Sequence, residues 1–284
     1  MQLIKPSFTI IEQESGLEGM YKQIELAGRT CYKSEDKITK TSAKEFVDRM
    51  IKSGHGAMLE HGAVYLSLDM PSREQYFKYC YNKFSKAKST GSAEHSTWKG
   101  FVTTNLRVLV ENGWLEDLKY QCKPTEYHEK RITVKFTCDR GVTHEFVRHR
   151  VFSFAQESTR YCNYSKGKFG EELTFIQPLW LDEELLKSYG SYHTVTRSKS
   201  PESIFIANLN NAENDYMDLI ALGWKPQEAR AILPNAIKAE LVMTGFISDW
   251  EHFFYLRTPM NAHPQARELA IPLLEEFKNR EYLK

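Results

Sequence analysis

The chain has 284 residues, of which 41% are hydrophobic and 26% are charged, and its net charge is +1 at pH 7. These values are ordinary for a globular protein, and they exclude a global field that would attract nucleic acid or an anionic membrane. Any anion site must therefore be a local group of arginines. Residues 1–15 show no signal pattern, and no run approaches the ~20 apolar residues of a membrane span, so we expect a cytoplasmic protein with no membrane partner.

The cysteines and histidines favour neither a disulfide framework nor a metal site. The five cysteines are odd in number and widely spaced, and they contain no C-x-x-C pair. The nine histidines are scattered, with no H-E-x-x-H, and residues 55–61 place three possible ligands, His55, Glu60 and His61, close together. Because no cysteine or further acidic residue completes a ligand set there, we predict no metal.

The N-terminal part of the chain predicts two helices followed by a strand. An apolar stripe over 18–28 has helical spacing. Ser42 and Glu45 are typical of a capping box that opens a second helix, and Gly54 suits the end of that helix. Strict alternation over 64–70 predicts a strand with one buried face.

A second alternating run, 132–138, could pair with the strand at 64–70 in one sheet. Residues 71–130 lie between them and are rich in Lys, Tyr and Ser, with a helical pattern over 104–118. We interpret 71–130 as a long insertion between two core strands rather than as a separate domain, because it is too short and polar for its own core.

The last part of the chain predicts mainly helices. Residues 167–201 have the pattern of a loop, and 202–223 form a long amphipathic helix. A further helix begins at Pro226, and residues 236–256 read as mostly helical and aromatic-rich. The final helix is predicted at 264–278. No P-loop or G-x-G-x-x-G occurs, so a nucleotide cofactor would not be held by a Rossmann turn.

Residues 148–161 are the chemically densest stretch, with three arginines, a histidine, three aliphatic hydroxyls and three aromatic rings. Arginine binds phosphate bidentately, so the stretch predicts a site for a phosphorylated ligand. One alternative is a solvated helix end with ion pairs. Another is a nucleic-acid-binding module whose aromatic rings stack on bases. Ser158 could also be a nucleophile with His149 as its base, although the neighbouring arginines favour an anion site.

The pattern R-H-R-x7-S at 148–158, followed by Arg160 and Tyr161, resembles the signature of flavin-dependent thymidylate synthases. The resemblance covers most of the chain except roughly 71–130 and 166–200. It implies an α+β fold, a mixed helix and sheet sandwich, as a single domain over 1–284 with the insertion described above. Further matching segments are 27–31, 54–61 and 228–234, Leu256 with Arg257, and Gln265 with Glu268.

The resemblance implies that the protein methylates dUMP to dTMP. Methylenetetrahydrofolate would donate the one-carbon unit, and NADPH would be the reductant through bound FAD. The family is a homotetramer with active sites shared between subunits, so dUMP, folate and NADPH are the expected partners, without nucleic acid.

The resemblance also assigns roles to individual residues. The catalytic candidates are Arg257, which would stabilise negative charge on the uracil ring, and Ser158. The FAD contacts would be His55, Glu60, Arg148, His149, Arg150 and His252. The dUMP contacts would be Gln156, Glu157, Ser158, Thr159, Arg160, Arg230 and Arg257.

Two positions depart from the family pattern. Gln156 stands where many members have Glu, although Glu157 is adjacent. Phe246 and Ser248 stand where the family has an Asn-x-Arg flavin contact, and we expect His252, one helical turn further on, to take part of that role.

Overall fold

Three β-sheets, each packed against helices, form the computed structural model, which describes residues 1–92, 94 and 96–283. Ala93 and His95 of the predicted insertion lie outside the described residues, as does Lys284 at the end of the predicted domain. The strands are β1 (Gln2–Ile4), β2 (Ser7–Ile11), β3 (Ala63–Leu68), β4 (Lys86–Thr90), β5 (Lys99–Asn105), β6 (Arg131–Asp139), β7 (Ser153–Gln156), β8 (Thr174–Ile176) and β9 (Lys238–Phe246).

Helices and strands are both abundant and the sheets are mainly antiparallel, as the α+β class requires. In the described ranges, none of the helices combines the length and apolar character needed to span a bilayer. The helices are α1 (Gly16–Tyr32), α2 (Ser42–Lys52), α3 (Gly56–Leu59), α4 (Arg73–Cys80), α5 (Leu106–Asn112), α6 (Arg140–Phe146), α7 (Glu183–Ser188), α8 (Pro201–Ala221), α9 (Pro226–Ala229), α10 (Ile247–Arg257) and α11 (Pro264–Asn279).

The main sheet has the antiparallel order β2-β6-β9-β7, and β6 pairs with β9 along its whole length. On one face, Phe136 of β6 packs against Trp250 and Phe253 of α10. On the other face, α1 places Ala27 against Ala155 and Val242. The sheet is therefore covered by helices on both faces, and β7 brings the residues that follow 148–150 to its edge.

The second sheet has the order β3-β5-β4 and its own apolar core. The expectation that residues 64–70 and 132–138 pair in one sheet is wrong. All six residues of β3 pair with β5, while both sides of β6 are taken by β2 and β9. Both faces of β3 are also covered rather than one, since Tyr65 is buried against His128.

Residues 71–130 provide two of the three strands of the second sheet. The interpretation of this segment as an insertion stays a prediction, but Val102 and Leu109 within it are fully buried in the core around β3. The helix predicted at 104–118 is shorter than expected. The strand β5 continues to Asn105, whose side chain caps α5, and Gly113 ends that helix in a left-handed conformation.

The C-terminal part contains one clear correction. Residues 236–256, predicted as mostly helical, form β9 followed by α10. Because Leu241, Val242 and Met243 are all buried, β9 has no alternation of polar residues and cannot be told from a buried helix by periodicity. The predicted loop at 167–201 holds β8 and α7, whereas the long helix and the final helix are confirmed as α8 and α11.

The capping box predicted at Ser42 is also wrong, because a tertiary contact takes its hydroxyl. Ser42 Oγ donates to Glu25 Oε2 at 2.9 Å, and Arg29 Nε donates to Glu25 Oε1 at 2.7 Å. Glu25 is only 1% exposed, and a buried carboxylate without hydrogen-bond donors is costly in free energy. The Ser42 hydroxyl therefore bonds Glu25 instead of capping α2.

We predict that Leu109→Ala destabilises the protein by about 2–5 kcal/mol, because it removes a fully buried side chain from the core of the second sheet. The matched control is Leu222→Ala, at a leucine that is 81% exposed, which should change the free energy of unfolding by less than about 0.5 kcal/mol. Urea unfolding of both variants measures the difference. Equal effects would mean that residues 71–130 are not part of the cooperative core.

Candidate active site

The helix α6 leads directly into the central motif at residues 148–161, and its start is fixed by Asp139. Asp139 Oδ1 accepts a hydrogen bond from the Val142 amide at 2.8 Å, which caps the helix. Its other oxygen, Oδ2, accepts one from Gln265 Nε2 of α11 at 2.5 Å. Burial raises the pKa of Asp139, and the hydrogen bonds from Val142 and Gln265 oppose that shift. The cap therefore sets where the residues after α6 begin.

Arg257, at the end of α10, is held by two residues of this motif region. Its Nε donates to His149 Nε2 at 2.9 Å, its Nη1 to Glu145 Oε2 at 2.8 Å, and its Nη2 to the Glu145 carbonyl at 2.7 Å. Glu145 Oε1 also lies 3.1 Å from Arg148 Nη1. The fold thus brings Arg148, His149 and Arg257 together around Glu145.

His149 is neutral at pH 7. Burial first, and then the charges of Arg257 and His252, lower its pKa to about 4, and Glu145 opposes that shift. Because the Nε–H of Arg257 can only donate, His149 Nε2 must accept and the ring proton lies on Nδ1. His252 is exposed, with its ring centroid 6.3 Å from that of His149.

Arg148 and Arg150 are open to ligands. The Arg148 side chain is 69% exposed. Arg150 is also exposed, and its guanidinium makes no hydrogen bond to any residue that the structure describes. Two guanidinium groups with free donors, placed on either side of a buried histidine, fit the phosphates of a dinucleotide cofactor.

The end of β7 and the loop after it are held by α6 and α1 and by a bond within the loop. Gln156 Nε2 donates to Thr143 Oγ1 of α6 at 3.0 Å, and the Ser158 amide donates to the Cys31 carbonyl at 2.9 Å. Ser158 Oγ accepts from the Arg160 amide at 3.3 Å. Since His149 Nε2 is taken by Arg257, the geometry does not form the Ser158–His149 nucleophile pair that the sequence allowed.

Glu157 points into the protein rather than toward an open site. It is 2% exposed, and its Oε2 accepts from Lys238 Nζ at 2.7 Å and from the Glu240 amide at 3.2 Å. The Tyr164 hydroxyl donates to Oε1 at 3.2 Å. The predicted substrate contact of Glu157 stays a prediction, but its bonds favour a role as the anchor of the loop.

A second part of the site is a cavity of about 400 Å³ beside this loop. Thr159, Arg230, Arg140 and Gln227 line it. Arg230 Nη1 lies 3.5 Å from Thr159 Oγ1, and Gln227 Oε1 accepts from Arg160 Nε at 3.4 Å. Two arginines, Arg140 of α6 and Arg230 at the end of α9, therefore line one cavity, which suits a phosphate group.

The predicted contacts His55 and Glu60 lie elsewhere in the chain's own fold. His55 is exposed before α3, and Glu60 Oε1 is bonded to Arg107 Nη1 at 2.5 Å. The half-buried Arg131 joins this turn to the start of β7, donating to the Glu60 carbonyl at 2.6 Å and to Ser153 Oγ at 3.1 Å. Among the described residues, no direct bond links His55 or Glu60 to residues 148–150.

His55, Glu60 and His61, which lie close together in the sequence, are not placed to hold a metal ion in the structure. His61 is fully buried, its Nδ1 lies 2.8 Å from Thr244 Oγ1, and burial lowers its pKa to about 3. In the part of the chain that the structure describes, no group of three His, Cys, Asp or Glu side chains is placed to hold a metal ion.

The sequence motifs missed three functional candidates, all on α6. They are Arg140, which lines the 400 Å³ cavity, Thr143, which holds Gln156, and Glu145, which holds Arg257. Only Glu145 had a detectable signal. It lies three residues before Arg148, which is the spacing of a helical ion pair.

We predict that His149 titrates near pH 4 and that Arg257→Ala raises this pKa, because the substitution removes a neighbouring positive charge. Between the ordinary value of 6.5 and about 4, the unfolded chain takes up a proton that the folded chain does not. Stability should therefore fall as pH drops through that window. Deuterium exchange at the His149 ring carbon, followed by mass spectrometry against pH, measures the value. A wild-type pKa near 6.5 would contradict the buried, arginine-bonded ring.

Comparison with known proteins identifies the family. The family model described as thymidylate synthase complementing protein matches residues 71–280, which include both segments without motif resemblance. A flavin-dependent thymidylate synthase of Pyrococcus abyssi is 30% identical over 147 residues, 52% of this chain and 54% of the relative. That of Corynebacterium glutamicum is 22% identical over 271 residues, 94% of this chain and 79% of the relative.

The alignment spans only about half the length of the relatives that are 30% or more identical, such as the Pyrococcus furiosus flavin-dependent thymidylate synthase, where it covers 52% of the relative. The family model, by contrast, covers well over half of this chain. The chain therefore belongs to the thymidylate synthase complementing protein family, the flavin-dependent thymidylate synthases that the arginine and serine motif predicted.

Proposed function

We propose that the protein methylates dUMP to dTMP, with methylenetetrahydrofolate as the one-carbon donor and NADPH as the reductant. The observation that carries the proposal is the contact of Arg257 with His149 and Glu145 beside the exposed Arg148, in a chain of this family. That contact puts a fixed cationic donor next to free phosphate-binding groups. The relatives described above carry the name flavin-dependent thymidylate synthase, which supports the same reaction.

FAD is the proposed cofactor, and this chain's residues fit it. Arg148 and Arg150 would hold its phosphates with their free donors, and His149 would lie near the ring system. His55 is exposed and open to contact, whereas Glu60 would have to exchange its bond with Arg107. When bound, FAD would supply the hydride chemistry, fed by NADPH.

The nucleotide would lie across the two parts of the site. The cavity beside the loop would take its phosphate through Arg230 and Arg140, with Arg160 next to it through Gln227, and Gln156 and Ser158 would contact the rest of the nucleotide. Arg257 would face the uracil with the donors that His149 and Glu145 leave free. A fixed cation at that place stabilises the negative charge that develops on the ring when it is activated.

A homotetramer of the family's sandwich type, with active sites shared between subunits, is part of the proposal. Val151 and Tyr255 are 64% and 74% exposed next to the motif, and a neighbouring subunit would cover them. A neighbour would also bring the His55 turn to the flavin, which this chain's own contacts do not do. The nucleic-acid alternative is not proposed, since the net charge of +1 offers no broad basic surface.

We expect the purified protein to be yellow, to absorb near roughly 450 nm, and to release FAD on denaturation. It should convert dUMP to dTMP only when methylenetetrahydrofolate and NADPH are both present. Chromatography of the released cofactor and of the nucleotide products tests both statements. A folded, colourless protein that takes up no added FAD and forms no dTMP would overturn the proposal.

We expect Arg257→Ala to lower kcat for dUMP by about 10²–10³-fold, because it removes a donor from the developing charge. FAD retention should change far less, since other residues hold its phosphates. The control is Arg280→Ala, whose guanidinium bonds Glu12 and Glu276 away from the site and which should leave both quantities unchanged. An equal loss of activity and of FAD would place Arg257 at the flavin instead.

A further inference from the structure

All three oxygen atoms of Glu145, the carbonyl and the two of the carboxylate, contact arginines. Its carbonyl and Oε2 accept from Arg257 at 2.7 and 2.8 Å, and Oε1 lies 3.1 Å from Arg148. Both arginines are predicted ligand contacts, one for the uracil and one for the flavin phosphates. A single carboxylate thus stands between the two halves of the proposed site.

The bonds fix the guanidinium plane of Arg257 in two directions. His149 holds its Nε edge, and Glu145 holds Nη1 and Nη2. Three of the five N–H groups of an arginine are used in this way, and two remain for a ligand. An arginine fixed before the ligand arrives loses less conformational freedom on binding than one that is free to rotate.

The surroundings indicate that Glu145 does more than join two helices. The start of α6 is already capped by Asp139 and tied to α11 through Gln265, so the helix does not depend on Glu145 for its place. Glu145 is 26% exposed in its side chain, and it lines a cavity of about 500 Å³ together with Trp180 and His263. The carboxylate therefore remains partly accessible while it bonds Arg257.

We propose that Glu145 is a positioning residue for the reaction, whose carboxylate orients Arg257 toward the uracil by bonding its Nη1 atom. The inference rests on the proposed function. It requires an acceptor at the Oε2 position rather than a negative charge, so glutamine should replace glutamate there and alanine should not.

The test compares Glu145→Ala with Glu145→Gln. In the FAD-loaded, oxidised protein, calorimetric titration should show dUMP binding at least about 10-fold weaker for the alanine variant and within about 3-fold of wild type for the glutamine variant. The value of kcat should fall by about 10–100-fold for alanine alone, because small misplacements of a catalytic group cost that much. The dissociation constant of FAD should change by less than about 3-fold in both.

The matched controls are Glu276→Ala and Glu276→Gln, which alter a carboxylate that bonds Arg280 at 2.7 Å on α11, outside the site. Neither control should change dUMP binding. Equal weakening of FAD and dUMP by Glu145→Ala would reduce Glu145 to a structural pair. Failure of glutamine to rescue would show that its charge matters rather than its geometry. Both results overturn the inference.

A ligand-free measurement separates this inference from the proposed function. Phenylglyoxal modifies accessible guanidinium groups, and mass spectrometry locates the modified residues. Arg257 should react slowly in wild type and Glu145→Gln, and several-fold faster in Glu145→Ala. If wild type binds neither FAD nor dUMP while this pattern holds, the proposed function fails and the orientation of Arg257 stands. If Arg257 reacts equally in all three proteins, Glu145 does not orient it.

Discussion

The pairing of Arg257 with Glu145 and His149 is the constraint on which the site depends. An arginine cannot lose its proton, so a guanidinium that is only 13% exposed must be given acceptors. The fold supplies a carboxylate, a carbonyl and a neutral imidazole. Burial and the charge of Arg257 together keep His149 neutral, and only the neutral ring can accept the hydrogen bond from Arg257.

This constellation is assembled from distant parts of the chain by the main sheet. The strands β6 and β9 pair along nine residues and run directly into α6 and α10, so the register of the sheet decides where Glu145 meets Arg257. Asp139 fixes the start of α6, and the buried Trp250 holds α10 against β6 through its bond to the Ile132 carbonyl. The loop with Ser158 is then held between α6 and α1.

Helices with a long polar face, such as α8 and α11, could be predicted because their apolar spacing is a local property of the sequence. The strand β9 could not, since its residues are buried on both faces and lose the alternation that marks a strand. The partner of each strand in its sheet could not be predicted from the sequence either. Alternation identified β3 and β6 as strands, but it contains nothing about which edge each one meets, and residues 71–130 supplied the true partner of β3.

By itself, the sequence determined that arginines, a histidine and a serine lie together at 148–158, because their spacing falls within one short stretch. Only the tertiary structure decided which of them meet and which face away. It turned Glu157 into the protein toward Lys238, engaged Glu60 with Arg107, and brought in Glu145 as the partner of Arg257. The physical reason is that a charged side chain takes whichever partner the fold places within bonding distance, and that partner is usually remote in the sequence.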